Sequence, residues 1–265
     1  MQLKDFGAKY PFLTGNLPFW EKYNKARDEL FGLFSRMDAL QKLKTSAFPQ
    51  NIDQGKPLFA YEQIRLGAGD LDALAKTFCR AMGLVPRTVS WGETVPLAAD
   101  LALTPDEAGF VLAEVHSALA SYCETLVAGD EETINWLEPY CPICGAPAGM
   151  GLIAASGKKN LVCSHCHTAW IYLRTACGLC GHVAERGATV LSADDLPDWF
   201  IETCDECGHY LKVADMRETI PDIVTYPLHY LTTWELDLAA RESGLHPAMF
   251  AVFERAGWLT PDNVN

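Results

Sequence analysis

The sequence predicts a multidomain α and β chain: a helical N-terminal domain, two small metal-binding β modules, and a helical C-terminal segment. Three observations predict it. Apolar residues recur at three- and four-residue steps through much of the first half, four Cys-x-x-Cys pairs crowd residues 141–207, and helical periodicity returns after Pro221. The expected boundaries are residues 1–138 for the helical domain, 139–175 and 176–218 for the two modules, and 219–265 for the C-terminal segment.

Composition narrows the function classes. The 265 residues are 49% hydrophobic and 21% charged, a balance that supplies a sizeable core and excludes collagen-like or disordered character. Asp plus Glu outnumber Lys plus Arg by 34 to 21, for a net charge of −13. Such a chain repels phosphate backbones. The cysteine-rich stretch from Cys141 to Asp215 is itself acidic, with five Lys or Arg against eight Asp or Glu, so no nucleic acid partner is expected. No run reaches the roughly 18 apolar residues of a membrane span, so no membrane insertion is expected. The opening Met1-Gln-Leu-Lys-Asp-Phe-Gly lacks the pattern of a secretory signal. The expected location is therefore cytoplasmic, where thiols stay reduced and clustered cysteines serve as metal ligands or redox centres.

The elements follow in order. From Leu17 to about Leu43, Trp20, Tyr23, Leu30, Phe31, Phe34, Met37 and Leu40 share one helix face. Phe48 to Pro57, with Pro49, Asn51 and Gly55, reads as a loop. A second helix is expected with Asp70 as N-cap, carrying Leu71, Leu74, Phe78 and Met82. A third has the clearest start. Thr104 caps it, Pro105 takes the first helical position, and Glu107 completes a capping box. It runs through Val111, Val115, Leu119, Tyr122 and Leu126 to a stop at Gly129. After Pro139 glycines and short β-type runs take over. In the last segment Leu228, Leu231, Leu236 and Leu238 mark a helix ended by Gly244, with a short helix expected from Pro247 to Ala256.

The chemistry lies in Cys141/Cys144, Cys163/Cys166, Cys177/Cys180 and Cys204/Cys207. A tight turn points both sulfurs of such a pair at one ion, and backbone N–H groups of the turn reach the sulfurs. Gly145, Gly181 and Gly208 follow the second cysteine of three pairs and suit a positive φ there; His167 holds that place in the fourth. Eight thiolates make two complete S4 sites. Eighteen residues separate Cys144 from Cys163, 23 separate Cys180 from Cys204, and ten separate Cys166 from Cys177. That spacing assigns site one to Cys141, Cys144, Cys163 and Cys166, and site two to Cys177, Cys180, Cys204 and Cys207, each in a rubredoxin-like or zinc-ribbon-like hairpin; a nested or cross-braced pairing is the alternative. His167–Ala176 reads as one shared strand, which would hold the ions roughly 20–30 Å apart. Zinc and iron both suit tetrahedral thiolate. An S4 site contributes on the order of 10–16 kcal/mol, against about 5–15 kcal/mol for a whole domain, so each module depends on its ion.

Other candidates read as structural. Cys79 and Cys123 sit beside core positions. His165, His167, His182 and His209 crowd the knuckles as neighbours of the sulfurs rather than ligands. Trp170 and Tyr172 cover the metal modules, and Asp194, Asp195 and Asp198 form a solvated loop. Phosphate loops, nucleophile elbows and His-Glu-x-x-His motifs are absent. No catalytic residue and no organic cofactor site is expected.

The knuckles in their context resemble a known family. Cys141-Pro-Ile-Cys-Gly-Ala-Pro147, Leu161-Val-Cys-Ser-His-Cys-His-Thr-Ala-Trp170, Arg174-Thr-Ala-Cys-Gly-Leu-Cys-Gly181 and Glu202-Thr-Cys-Asp-Glu-Cys-Gly-His-Tyr-Leu-Lys212 resemble the formate dehydrogenase accessory protein FdhE. Leu236-Asp237 and Glu242-Ser-Gly244 add a weaker echo. Where the family carries an Asp-Asp pair ahead of that Leu-Asp, this chain reads Leu228-His229-Tyr230-Leu231. The resemblance implies a helical domain followed by two rubredoxin-like modules, iron as the ion, and the catalytic subunit of a formate dehydrogenase as partner. It implies a cytoplasmic maturation factor rather than an enzyme. A rubredoxin-like electron carrier and a zinc-ribbon nucleic-acid-binding protein are the alternatives.

Overall fold

The computed structural model describes residues 8, 10–43, 54–58, 66–84, 103–127, 136–183, 189–193, 196–217 and 231–248. The chain divides into two compact units: residues 1–47 with 59–130, and residues 48–58 with 131–265.

The first unit is helical. A 3-10 turn over Pro11–Asn16 leads into α1 (Leu17–Phe34), followed by α2 (Asp38–Leu43), α3 (Ala68–Met82) and α4 (Pro105–Val127). α1 buries Tyr23, Ala26, Leu30 and Phe34 along one stripe and packs on α3 and α4, which also pack on each other. The single helix expected from Leu17 to Leu43 is broken after Phe34. The Ser35 hydroxyl donates back to the Gly32 carbonyl at 3.0 Å, and the Arg36 and Met37 N–H groups close three-residue turns onto Leu33 and Phe34. Such local bonds compete with the α ladder. α3 begins earlier than expected. Gly67 is its N-cap, so Asp70 lies inside the first turn, where a carboxylate favours the helix dipole. Its C-cap, Gly83, is left-handed at φ 82°. α4 starts as the sequence indicates: the Thr104 N–H donates to the Glu107 carboxylate at 2.9 Å, and the Glu107 N–H donates to the Thr104 hydroxyl at 3.4 Å. Gly129 lies outside the described residues. Cys79 and Cys123 are fully buried in α3 and α4. A polar seam that periodicity does not reveal joins α1 to α4. Arg27 donates to the Ser117 and Ser121 hydroxyls at 2.9 and 2.6 Å, and Tyr23 donates to Glu114 at 2.7 Å.

The second unit is built on one seven-stranded sheet. Its strands are β1 (Ala148–Ile153), β2 (Lys159–Cys163), β3 (Ala169–Tyr172), β4 (Thr189–Ser192), β5 (Trp199–Thr203), β6 (His209–Asp215) and the short β7 (His246–Pro247). The order is β3-β2-β1-β6-β5-β4, with β7 beside β6. Within each module the strands run antiparallel, and a parallel β1–β6 pair, Gly151 opposite Val213, fuses the two modules. The segment from His167 to Ala176 is therefore not a shared strand. β3 pairs only with β2, at a sheet edge, and its chain then turns back so that Ala176 bridges Val183.

One sheet face carries Met150, Leu152, Val162, Trp199, Ile201, Tyr210 and Ala214, covered by Leu236 and Ala240 of α5 (Trp234–Glu242). Gly244 closes α5 at φ 74°. Leu231 and Leu238, expected on the packed face, are exposed, and Leu228 lies outside the described residues. Pro247 belongs to β7 rather than to a helix; the rest of that expected helix, from residue 249, lies outside the described residues, as do Asp194 and Asp195. No helix among the described residues is long and apolar enough to cross a membrane.

Candidate metal centres

Each knuckle is placed by the strands beside it. The first, Cys141–Gly145, precedes β1, and the second, Cys163–His167, turns β2 into β3. The third, Cys177–Gly181, follows β3, and the fourth, Cys204–Gly208, turns β5 into β6. In three of them the N–H of the following glycine donates to the carbonyl of the first cysteine, at 2.9 Å for Gly145, 3.0 Å for Gly181 and 2.9 Å for Gly208. These glycines take φ of 74, 76 and 69°. His167 takes φ 64°, so the knuckle that departs in sequence keeps the left-handed backbone at the strain of a side chain there.

The structure gathers Cys141, Cys144, Cys163 and Cys166 into one group and Cys177, Cys180, Cys204 and Cys207 into another, with all ligand sulfurs of a group within 4.8 Å of each other. In the first, Cys141 and Cys166 are 3.5 Å apart, Cys144 and Cys163 3.5 Å, and Cys144 and Cys166 3.6 Å. In the second, Cys177 and Cys207 are 3.9 Å apart and Cys180 and Cys204 3.7 Å. A tetrahedral ion with metal–sulfur bonds of about 2.3 Å sets neighbouring sulfurs about 3.8 Å apart. A disulfide would hold them at about 2.05 Å; all ten cysteines are free. The donor sets therefore fit a thiophilic ion, iron or zinc, in each group. Ile143 and His165 N–H groups donate to Cys141 and Cys163 at 3.3 Å, and Leu179 N–H to Cys177 at 3.4 Å. Burial pushes the Cys141 thiol well above its ordinary value and Cys177 up to about 11. A cation would replace the protons that Cys141 and Cys177 otherwise keep.

Because β1 and β6 run parallel, both groups lie at the same end of the sheet. The strand pairs that carry them, β1–β2 and β5–β6, are two strand spacings apart, roughly 10 Å across the sheet. That is nearer than the extended link would set them. The third knuckle reaches its partner by folding over the opposite sheet face. A Cβ on Gly178 would lie 2.9 Å from Leu161 and 3.0 Å from Leu211, so only glycine lets the turn lie this low. Tyr172 is buried and donates its hydroxyl to the Cys177 carbonyl at 3.2 Å. Trp170 is buried on the same strand and donates to the Glu138 carbonyl. Around the knuckles His182 is exposed, and the His209 ring lies against the Cys207 carbonyl. No histidine joins either group among the described residues.

Sequence reasoning missed two buried lysines. Lys159, on β2, meets Glu202, on β5, and the Ala176 carbonyl. Lys212, on β6, donates to Asp237 of α5 at 2.8 Å, and Tyr210 donates to the other oxygen of that carboxylate at 2.7 Å. For Lys212 the available signal was its place between Leu211 and Val213. A lysine inside a strand that is otherwise buried needs a partner.

No family model matches the chain. It is 34% identical over 117 residues to the protein FdhE homolog of Aquifex aeolicus, covering 42% of this chain and 40% of that protein. It is 39% identical over 89 residues to the Shewanella oneidensis homolog and 34% over 112 residues to that of Stutzerimonas stutzeri. The chain is similar to FdhE proteins over this stretch. The matches span 29% to 40% of these relatives' lengths. The crystal structure of the FdhE protein from Pseudomonas aeruginosa overlays 85% of this chain and 90% of its own, at 19% identity and a TM-score of 0.48. Tyr210, Lys212 and Asp237, which lie in the stretches that carry the resemblance, form one hydrogen-bonded cluster that holds α5 to the sheet.

Proposed function

We propose that this chain is a maturation factor for a formate dehydrogenase, binding the catalytic subunit in the cytoplasm and supporting its assembly before export or membrane integration. The observation that carries the reading is the identity shared with the FdhE proteins. The two sulfur groups support it: eight cysteines hold two ions, iron in the family's manner, and the ions stiffen turns that present a docking surface. The chain has no turnover of its own in this reading. Deleting the gene should abolish formate dehydrogenase activity while transcript of the catalytic subunit persists, and a tagged copy should co-purify with that subunit. Full activity in the deletion strain would refute the proposal. Metal analysis of protein purified without oxygen should return two ions per chain.

A further inference from the structure

The two sulfur groups differ in access to solvent. In the first group Cys141 and Cys163 are 0% exposed, Cys166 1% and Cys144 9%. The segment at 54–58 covers its first knuckle: the Leu58 N–H donates to the Pro142 carbonyl at 2.8 Å, and Leu58 is itself buried. Pro57 lies so close that a Cβ on Gly145 would meet it at 2.9 Å. Thr168 closes the other side, its hydroxyl 3.1 Å from Cys166. In the second group Cys204 alone is buried; Cys177 and Cys207 are half-buried and Cys180 is exposed.

A closed four-thiolate shell has no vacant position, so an ion leaves it only when an incoming donor reaches the ion or displaces one sulfur. We infer that the second group is the exchangeable one, with the Cys180 edge as the port through which a competing ligand reaches its ion, while the first group is locked. With an ion held by the four sulfurs, the incoming ligand would take the place of Cys180 on it, and the released Cys180 sulfur would take a proton from solvent. No oxidation state changes. The inference rests on the reading of both groups as S4 sites.

Full-length protein holding two equivalents of zinc is mixed with excess 4-(2-pyridylazo)resorcinol, with iodoacetamide present to trap released thiols. The expected record is two phases of one equivalent each, about tenfold or more apart in rate. Peptide mapping should place early alkylation on Cys177, Cys180, Cys204 and Cys207, and late alkylation on Cys141, Cys144, Cys163 and Cys166. Cys180→Ser should lose the fast equivalent and keep the slow one, and Leu58→Ala should accelerate the slow phase alone. A single phase, or early alkylation at Cys141 or Cys163, overturns the inference while leaving the S4 reading intact. Protein that binds no zinc overturns both.

Discussion

Replacing Asp237 with alanine should release α5 from the sheet, and the size of the effect follows from what it leaves behind. The Lys212 side chain is 0% exposed and Asp237 29%, so the ammonium depends on that carboxylate, and Tyr210 shares it. Removing one partner of a buried pair costs about 3–5 kcal/mol. Asp237 stands at the rim, where water can partly replace it, so about 3 kcal/mol is expected. For a unit of this size that lowers Tm by roughly 6–12 °C. Burial already holds the Lys212 pKa below its ordinary value, and loss of Asp237 pushes it further down. A folded-state pKa below the unfolded one means that the unfolded chain binds more protons, so stability rises with pH in the window between them. The deficit of the variant should therefore shrink as pH rises from 8 toward 10. Lys212→Met with Asp237→Leu removes both charges at similar volume and should return most of the lost stability. Urea unfolding followed by fluorescence of Trp199, which packs in the same cluster as Leu236, measures all three. An Asp237→Ala loss below 1 kcal/mol, or a double variant no better than the single, refutes the clamp.

Gly178→Ala should force Leu161 and Leu211 apart at a cost of about 1–3 kcal/mol and weaken one of the two ions, measurable as loss of one equivalent in a metal titration with the other unchanged. Gly208→Ala and His167→Gly should act in opposite senses, because both positions are left-handed. The first should cost about 1 kcal/mol, with open space around the new Cβ, and the second should be neutral or stabilising by up to about 1 kcal/mol in thermal unfolding. Burial lowers the pKa of His116 in α4, so the unfolded chain takes up its proton first on acidification. Stability of the helical unit should fall as pH drops below about 6.5, and His116→Gln should flatten that slope in a pH series of melts.

Much of this architecture is legible because it is local. The capping box at Thr104, the apolar stripe of Leu30 and Phe34, and the glycine after each of three knuckles are specified within four residues, a span over which side-chain chemistry decides backbone geometry. The Cys groups are legible for another reason: sulfur pairs at ribbon spacing have few partners to choose from. What sequence reasoning lost lies at long range. The parallel pairing of Gly151 with Val213 joins positions 62 residues apart, and neither strand carries a signal that prefers a neighbouring module to solvent. That one pairing sets both sulfur groups at one end of the sheet, and it makes Lys159 and Glu202 partners. Lys159 follows Lys158 in sequence, and its partner Glu202 comes from the other module. The shared sheet also changes what an ion stabilises. Two separate hairpins would each stand or fall with their own ion, whereas strands joined through β1 and β6 would let an ion in either group brace the sheet that both share.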